Sequence, residues 1–233
     1  MRDDKEEQIF TVRNRVMDVS FKIIEETDNY IVINKPSGLA TQTAGLGERD
    51  LVSEVKNYLA DKTKKKNPYI AVINRLDQPV EGLVLMAKDE KTAANLSRHL
   101  MNGDIKKYYR AEVFGHMINK KGRLEDLIVK EASNISRIAD KNDKRAKKAI
   151  LEYEVINSDE NTELLDIYLI TGRHHQIRVQ LSGAGCPIVG DRKYGNEGSK
   201  AYSTINHINN VRLRAYRLVL PNGHDISLEN KET

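Results

Sequence analysis

The stretch from Tyr69 to Lys88, YIAVINRLDQPVEGLVLMAK, constrains this chain more than any other. Ile70-Ala71-Val72-Ile73 and Leu83-Val84-Leu85-Met86 are short apolar runs rich in β-branched residues, with the length and composition of buried strands. Pro79 and Gly82 punctuate what lies between them, so Asn74-Arg75-Leu76-Asp77-Gln78 reads as a polar loop held by rigid neighbours. Such loops are where proteins hold reactive groups in place. This one carries an acid, Asp77, two residues from a base, Arg75. The pair taken alone has a plainer reading as a structural turn, because Arg and Asp often meet there.

The chain has 233 residues, enough for one large domain or two small ones and for a substantial buried core. Charged residues make up 31% and hydrophobic ones 39%, the balance of a soluble globular protein and not of a disordered one. No apolar run approaches the roughly 20 residues that span a bilayer. The start, MRDDKEEQIF, is charged and lacks the apolar core of a signal peptide. A single cysteine, Cys186, excludes an intrachain disulfide and a cysteine-built zinc cage. A cytoplasmic protein is expected. With 38 basic against 34 acidic residues the net charge is only +4, so any polyanionic partner depends on where the cations sit. Two clusters stand out: Lys62 with Lys64, Lys65 and Lys66, and Lys141 with Lys144, Arg145, Lys147 and Lys148. Each is a solvated loop on the plain reading and a phosphate-contacting surface on the sharper one.

Taken in order, residues 1 to 20 form an arm or a marginal first strand. Strands are expected at Phe21–Glu26 and Tyr30–Asn34, a hairpin around Asp28-Asn29. Asp50 can cap a helix to about Ala60, with Leu51, Val55 and Leu59 on one face. A second helix runs from about Lys91 to Met101 and ends at Gly103. From Lys107 the pattern alternates, placing Tyr109, Ala111 and Val113 on one side of a strand. Further strands follow at 124–129, 149–156, 163–170, 211–220 and 226–228, with a helix starting near His174 and a looped region from Cys186 to Gly195. No internal repeat and no linker-like stretch interrupts the chain, which points to a single elaborated domain from 21 to 233.

Several familiar chemistries find no support. His174 and His175 are adjacent and diverge on helix or strand, with no acid or cysteine at ligand spacing, so a metal site is not expected. Gly183 and Gly185 do not continue into a dinucleotide fingerprint. No GxSxG elbow is present. What remains is an acid on a loop (Asp77), a tyrosine on a strand face (Tyr109) and arginines near a helix start (Arg173, Arg178).

These residues carry a resemblance. Arg75-Leu76-Asp77, followed by Gly82-Leu83-Val84-Leu85 and Ala87-Lys88, resembles the HRLDxxTSGLLLxAK signature of RluA-type RNA pseudouridine synthases. Lys107-x-Tyr109-x-Ala111-x-Val113 is similar to the second motif of that family. Thr171-Gly172-Arg173-His174-His175-Gln176-Ile177-Arg178 is similar to its third, TGRTHQIR. Asn34-Lys35-Pro36-Ser37-Gly38-Leu39, Pro187-Ile188-Val189-Gly190-Asp191 with Tyr194-Gly195, and Leu213-Arg214-Ala215-Tyr216 are weaker echoes, and the whole covers about residues 21 to 220 in order. The chain departs from the family at Asn74 (usually His), Val80-Glu81 (Thr-Ser), His174 (Thr) and Arg214 (His). None of these touches Asp77, Tyr109 or Arg178.

The resemblance implies an α+β fold, a long mixed, mainly antiparallel sheet flanked by helices with a central active-site cleft. It implies an isomerase that turns uridine into pseudouridine in ribosomal or transfer RNA without cofactor or metal, as a monomer. No separate N-terminal RNA-binding module is expected. Asp77 would be the nucleophile, forming a covalent adduct with a flipped-out nucleotide. Arg178 would be its counter-ion, since a nearby cation offsets the rise that burial imposes on a carboxyl pKa. Tyr109 would lie against the uracil, and Arg75 would fill the vacated stack or clamp the backbone. Leu76, Lys107, Arg173, His175, Gln176 and Ile177 would line the substrate side, and the two lysine-rich loops would meet phosphates. Two other classes compete: a catalytically silent RNA-binding protein on the same fold, and an enzyme that uses a carboxylate–arginine pair on a small anionic metabolite.

Overall fold

Strand pairing follows the alternation and the apolar runs of the sequence. The computed structural model describes residues 21–43 and 49–229, so the expected N-terminal arm lies outside the described residues. The chain packs as two compact units, one up to Met101 and the other from Asn102.

In the first unit, β1 (Lys22–Glu26) and β2 (Tyr30–Lys35) form the expected antiparallel hairpin. The Thr27 hydroxyl closes its turn by accepting from the Asn29 and Tyr30 N–H groups at 3.2 and 3.1 Å. β2 pairs along its length with β4 (Glu81–Ala87), and β4 also pairs with the short β3 (Ala71–Val72). Ile31, Val32 and Ile33 of β2 and Leu83 to Ala87 of β4 have no solvent exposure. Burial on both faces is why these strands read as continuous apolar runs instead of alternating ones. Helix α1 (Leu51–Thr63) starts where Asp50 accepts from the Ser53 N–H at 2.7 Å, and it buries Leu51, Val55 and Leu59. Asp89 likewise accepts from the Thr92 N–H ahead of α2 (Glu90–Asn102), which turns Ala93 and Leu96 inward.

The second unit is an antiparallel sheet. Its strands are β5 (Lys106–Phe114), β6 (Lys121–Lys130), β7 (Ser136–Ile138), β8 (Lys147–Ser158), β9 (Thr162–Leu169), β10 (Leu213–Val219) and β11 (Asp225–Ser227). They lie in the order β11-β10-β5-β9-β8-β6-β7. On β5 the burial alternates as the sequence predicts, with Lys107, Tyr109, Ala111 and Val113 buried and Tyr108, Arg110 and Glu112 on the wetter face. Helix α3 (Gln176–Gly183) packs against β6 and β7, and α4 (Glu197–Ile205) against β5. Strand β7 and helix α4 are not anticipated by the sequence reading. Three residues are too few to show a period, and EGSKAYSTI is too polar to announce a buried face.

Candidate active site

Within the first unit, the Asp77 loop is fastened from two sides. Asn74, which stands where the family has His, is buried and spans two rungs of β4. Its amide donates to the Leu83 carbonyl at 3.1 Å, and its oxygen accepts from the Leu85 N–H at 2.7 Å. The 35–41 segment grips the other side. The Thr41 hydroxyl donates to the Leu76 carbonyl at 2.8 Å, Ser37 donates to the Pro79 carbonyl at 2.8 Å, and the Gly38 N–H donates to the Gln78 carbonyl at 2.9 Å. A turn closed from the Val80 N–H to the Asp77 carbonyl then shapes the loop itself. Leu76 anchors it in the core. Asp77 is left half-buried and Arg75 exposed.

Lys35 is the residue of this site that the sequence reading left without a role. It has no solvent exposure, and its amine donates to the carbonyls of Leu39, Pro36 and Gln78 at 2.7, 2.9 and 3.1 Å. Burial pushes its pKa down to about 8, while the Asp77 and Glu81 carboxylates pull the other way. The chain therefore keeps a buried cation within electrostatic reach of Asp77. The Asn34-Lys35-Pro36 echo was the available signal.

The other expected residues belong to the second unit. Tyr109 (6% exposed) and Lys107 (9% exposed) share the buried face of β5. Arg178 on α3 is 4% exposed, and its guanidinium grips Asp191 through two bonds, Nε–Oδ2 at 2.7 Å and NH2–Oδ1 at 2.8 Å. Asp191 in turn accepts from the Lys193 and Tyr194 N–H groups, so its carboxylate is fixed by its own loop. Asp77 lies in the first unit; within the second, the carboxylate paired with Arg178 is Asp191.

A polar relay surrounds this pair. The Tyr194 ring lies 5.0 Å from the Arg178 guanidinium. Its hydroxyl accepts from the Ser136 N–H at 2.9 Å and meets His175 Nδ1 at 2.6 Å. The rings of His174 and His175 stack 3.7 Å apart, and His174 Nδ1 meets the Ser136 hydroxyl at 2.8 Å. His174, where the family has Thr, thus ties the α3 start to β7. His175 takes a left-handed backbone (φ 55°) directly before α3, which swings its ring toward Tyr194.

Gln176 is spent on the chain itself. Its oxygen accepts from the Thr171 hydroxyl and the Arg173 N–H, and its amide donates to the Ile150 carbonyl. Ile177 is core at 5% exposure. Arg173 is exposed and donates to the Lys148 carbonyl at 2.8 Å.

The basic loops are partly neutralised. Lys62 pairs with Glu26, Arg145 with Asp143 and Glu131, and Lys148 with Glu125. Lys64, Lys65, Lys66, Lys141, Lys144 and Lys147 are exposed and make no ion pair among the described residues. Among those residues no group of acids, histidines and cysteine is arranged to hold a metal ion, and no helix is long and apolar enough to cross a membrane.

Residues 29–183 match the family model of RNA pseudouridylate synthases. The ribosomal large subunit pseudouridine synthase C of Rickettsia bellii is 35% identical over 212 residues, covering 90% of this chain and 67% of that protein. The dual-specificity RNA pseudouridine synthase RluA of Vibrio parahaemolyticus is 28% identical over 185 residues, covering 78% and 72%. Human RNA pseudouridylate synthase domain containing 4 shares the fold, with a TM-score of 0.75 at 22% identity over 89% of this chain and 87% of that one. The chain belongs to the RNA pseudouridylate synthase family and is an RluA-type RNA pseudouridine synthase.

Proposed function

We propose that this enzyme isomerises uridine in ribosomal RNA, with Asp77 as the nucleophile. The observation that carries the catalytic assignment is the Asp77 loop. Asn74, Leu76, Gln78 and Pro79 around Asp77 are tied down by hydrogen bonds to backbone, and Asp77 itself is half-buried. A loop held this firmly around a half-buried acid suits covalent catalysis, where the attacking oxygen must arrive in one geometry. Lys35 supplies a buried positive charge that interacts with the Asp77 carboxylate. Tyr109 offers ring area for the uracil and a hydroxyl for proton transfer. Arg178 serves the same chemistry, with Asp191 setting its orientation. Arg75, exposed beside the nucleophile, takes the place of the flipped-out base or clamps the backbone. Ribosomal RNA as the substrate is supported by the name of the Rickettsia relative.

Two measurements test this reading. Pseudouridine mapping in total RNA from cells with and without the gene should show a ribosomal site lost only in the deletion; loss confined to transfer RNA would overturn the substrate. Asp77→Asn should abolish turnover on that site while RNA binding persists. Undiminished isomerisation by the amide would remove Asp77 from the mechanism.

A further inference from the structure

Lys107 is a cation without an anion. It lies on β5 with 9% exposure, and among the described residues no carboxylate or other acceptor meets its amine. The charged group that acts on it is a second cation, Arg173, and this neighbour adds to burial in holding the amine below its usual pKa. A buried ammonium with no counter-charge costs several kcal/mol. Gly172 is exposed, and a Cβ there would stand 3.4 Å from the Lys107 amine, so the turn backbone passes directly beside that amine. Arg173 is not loose either, since its Nε donates to the Lys148 carbonyl on β8 at 2.8 Å. Two positive groups therefore act on each other beside the Gly172 backbone, and neither has an ion-pair partner among the described residues.

We propose that Lys107 and Arg173, beside Gly172, form an anion subsite that takes one phosphodiester of the RNA substrate. Placement favours RNA over a free metabolite. Lys107 shares the buried face of β5 with Tyr109, two residues on, a separation of about 7 Å along a strand. The base and the adjoining phosphate of one nucleotide can meet both. This rests on the reading of Tyr109 as the residue that faces the uracil. The phosphate supplies the missing counter-charge, and the buried amine gives a stronger contact than a lysine in open water.

The test uses the full chain carrying Asp77→Asn, which removes turnover and leaves binding to be read. A fluorescently labelled oligouridylate is titrated over a series of salt concentrations. Adding Lys107→Gln should weaken binding several-fold and flatten the slope of log affinity against log salt by about 0.7, the value for one phosphate contact on a single strand. Lys107→Arg should restore the slope. An unchanged slope in folded Lys107→Gln overturns the subsite. Should Lys107→Gln fail to fold, acylation of the Lys107 amine in the Asp77→Asn chain decides. Protection by oligouridylate supports the proposal, and absence of protection refutes it. Equal protection by inorganic phosphate at matched phosphate concentration refutes the RNA assignment in favour of a free-phosphate site. A failure here leaves the Asp77 mechanism standing, because that is read on turnover and this on binding.

Discussion

A carboxylate serves as a nucleophile only while ionised, and in the first unit the buried Lys35 is a cation that interacts with Asp77. Keeping that amine protonated inside the protein has a measurable consequence. Its pKa is about 8 in the folded chain, below the 10.5 of a free lysine, so between those values the unfolded chain binds the extra proton. Stability should accordingly rise with pH from about 8 to about 10.5 and level off on either side, since both states hold the proton below 8 and neither holds it above 10.5. In Lys35→Met, unfolding free energies by denaturant titration should lose up to about 1.4 kcal/mol per pH unit of that slope within the window. A slope identical to wild type would show that Lys35 titrates normally. Arg178 and Asp191 make a second residue-scale case. Both are nearly inaccessible (side chains 5% and 0% exposed), so Asp191→Asn strands a buried guanidinium and should cost about 3–5 kcal/mol of stability, along with turnover. Asp225→Asn breaks a pair of similar length, to Arg217, but at 38% and 22% exposure it should cost under about 1 kcal/mol. Denaturant unfolding of the two variants side by side checks the contrast. Asp77, Tyr109 and Arg178 stand out in the sequence because three motifs recur in order. The Arg178–Asp191 bond does not, since nothing in the spacing says which acid a helix arginine will meet after the intervening turn.

At the scale of elements, the strands were legible where composition and face agree. The β4 run is apolar because both its faces are buried, and β5 alternates because one is not. The helices α1 and α2 were announced by Asp50 and by apolar residues three and four apart. The segment between α3 and α4 was legible as a loop but not in its shape, because loops hold their shape by backbone contacts that side-chain patterns do not record. Gly190 shows this. It adopts φ +79°, and a Cβ there would lie 2.0 Å from the Asn210 carbonyl oxygen, against the Asn210–Val211 backbone and not against a flexible side chain. Gly190 immediately precedes Asp191, and its N–H takes the Ser203 hydroxyl of α4 as acceptor at 2.9 Å. Gly190→Ala should therefore lower stability by at least about 2 kcal/mol from strain and overlap, and should disturb Arg178 through Asp191. Thermal unfolding together with kcat reads both effects. A variant as stable and as active as wild type would mean that the loop relaxes without cost.

For the whole molecule, a net charge of +4 understates the surface offered to a polyanion, because charges that are already paired contribute little. Arg145 is held by Asp143 and Glu131, and Arg137 by the same two acids, so a phosphate that recruited either would have to displace a carboxylate first. Lys141, Lys144 and Lys147 stand on the same stretch, exposed and without an ion pair among the described residues. Counterion release on RNA binding should come from the second group. Replacing Lys141, Lys144 and Lys147 together by Gln should reduce the salt slope of single-stranded RNA binding by about 2, at about 0.7 per phosphate contact. Arg145→Gln should change the slope by much less than the about 0.7 expected per lysine, although it too removes one formal charge from the same loop. Equal effects per charge removed would mean that the ion pairs open freely when RNA arrives. The surface would then act through net charge alone, and the distinction between paired and unpaired cations would lose its force. An effect from Arg145 and none from the lysines would place the RNA path elsewhere on the chain. The slopes are compared at fixed temperature and pH with one oligouridylate, so that only the number of released ions differs between variants.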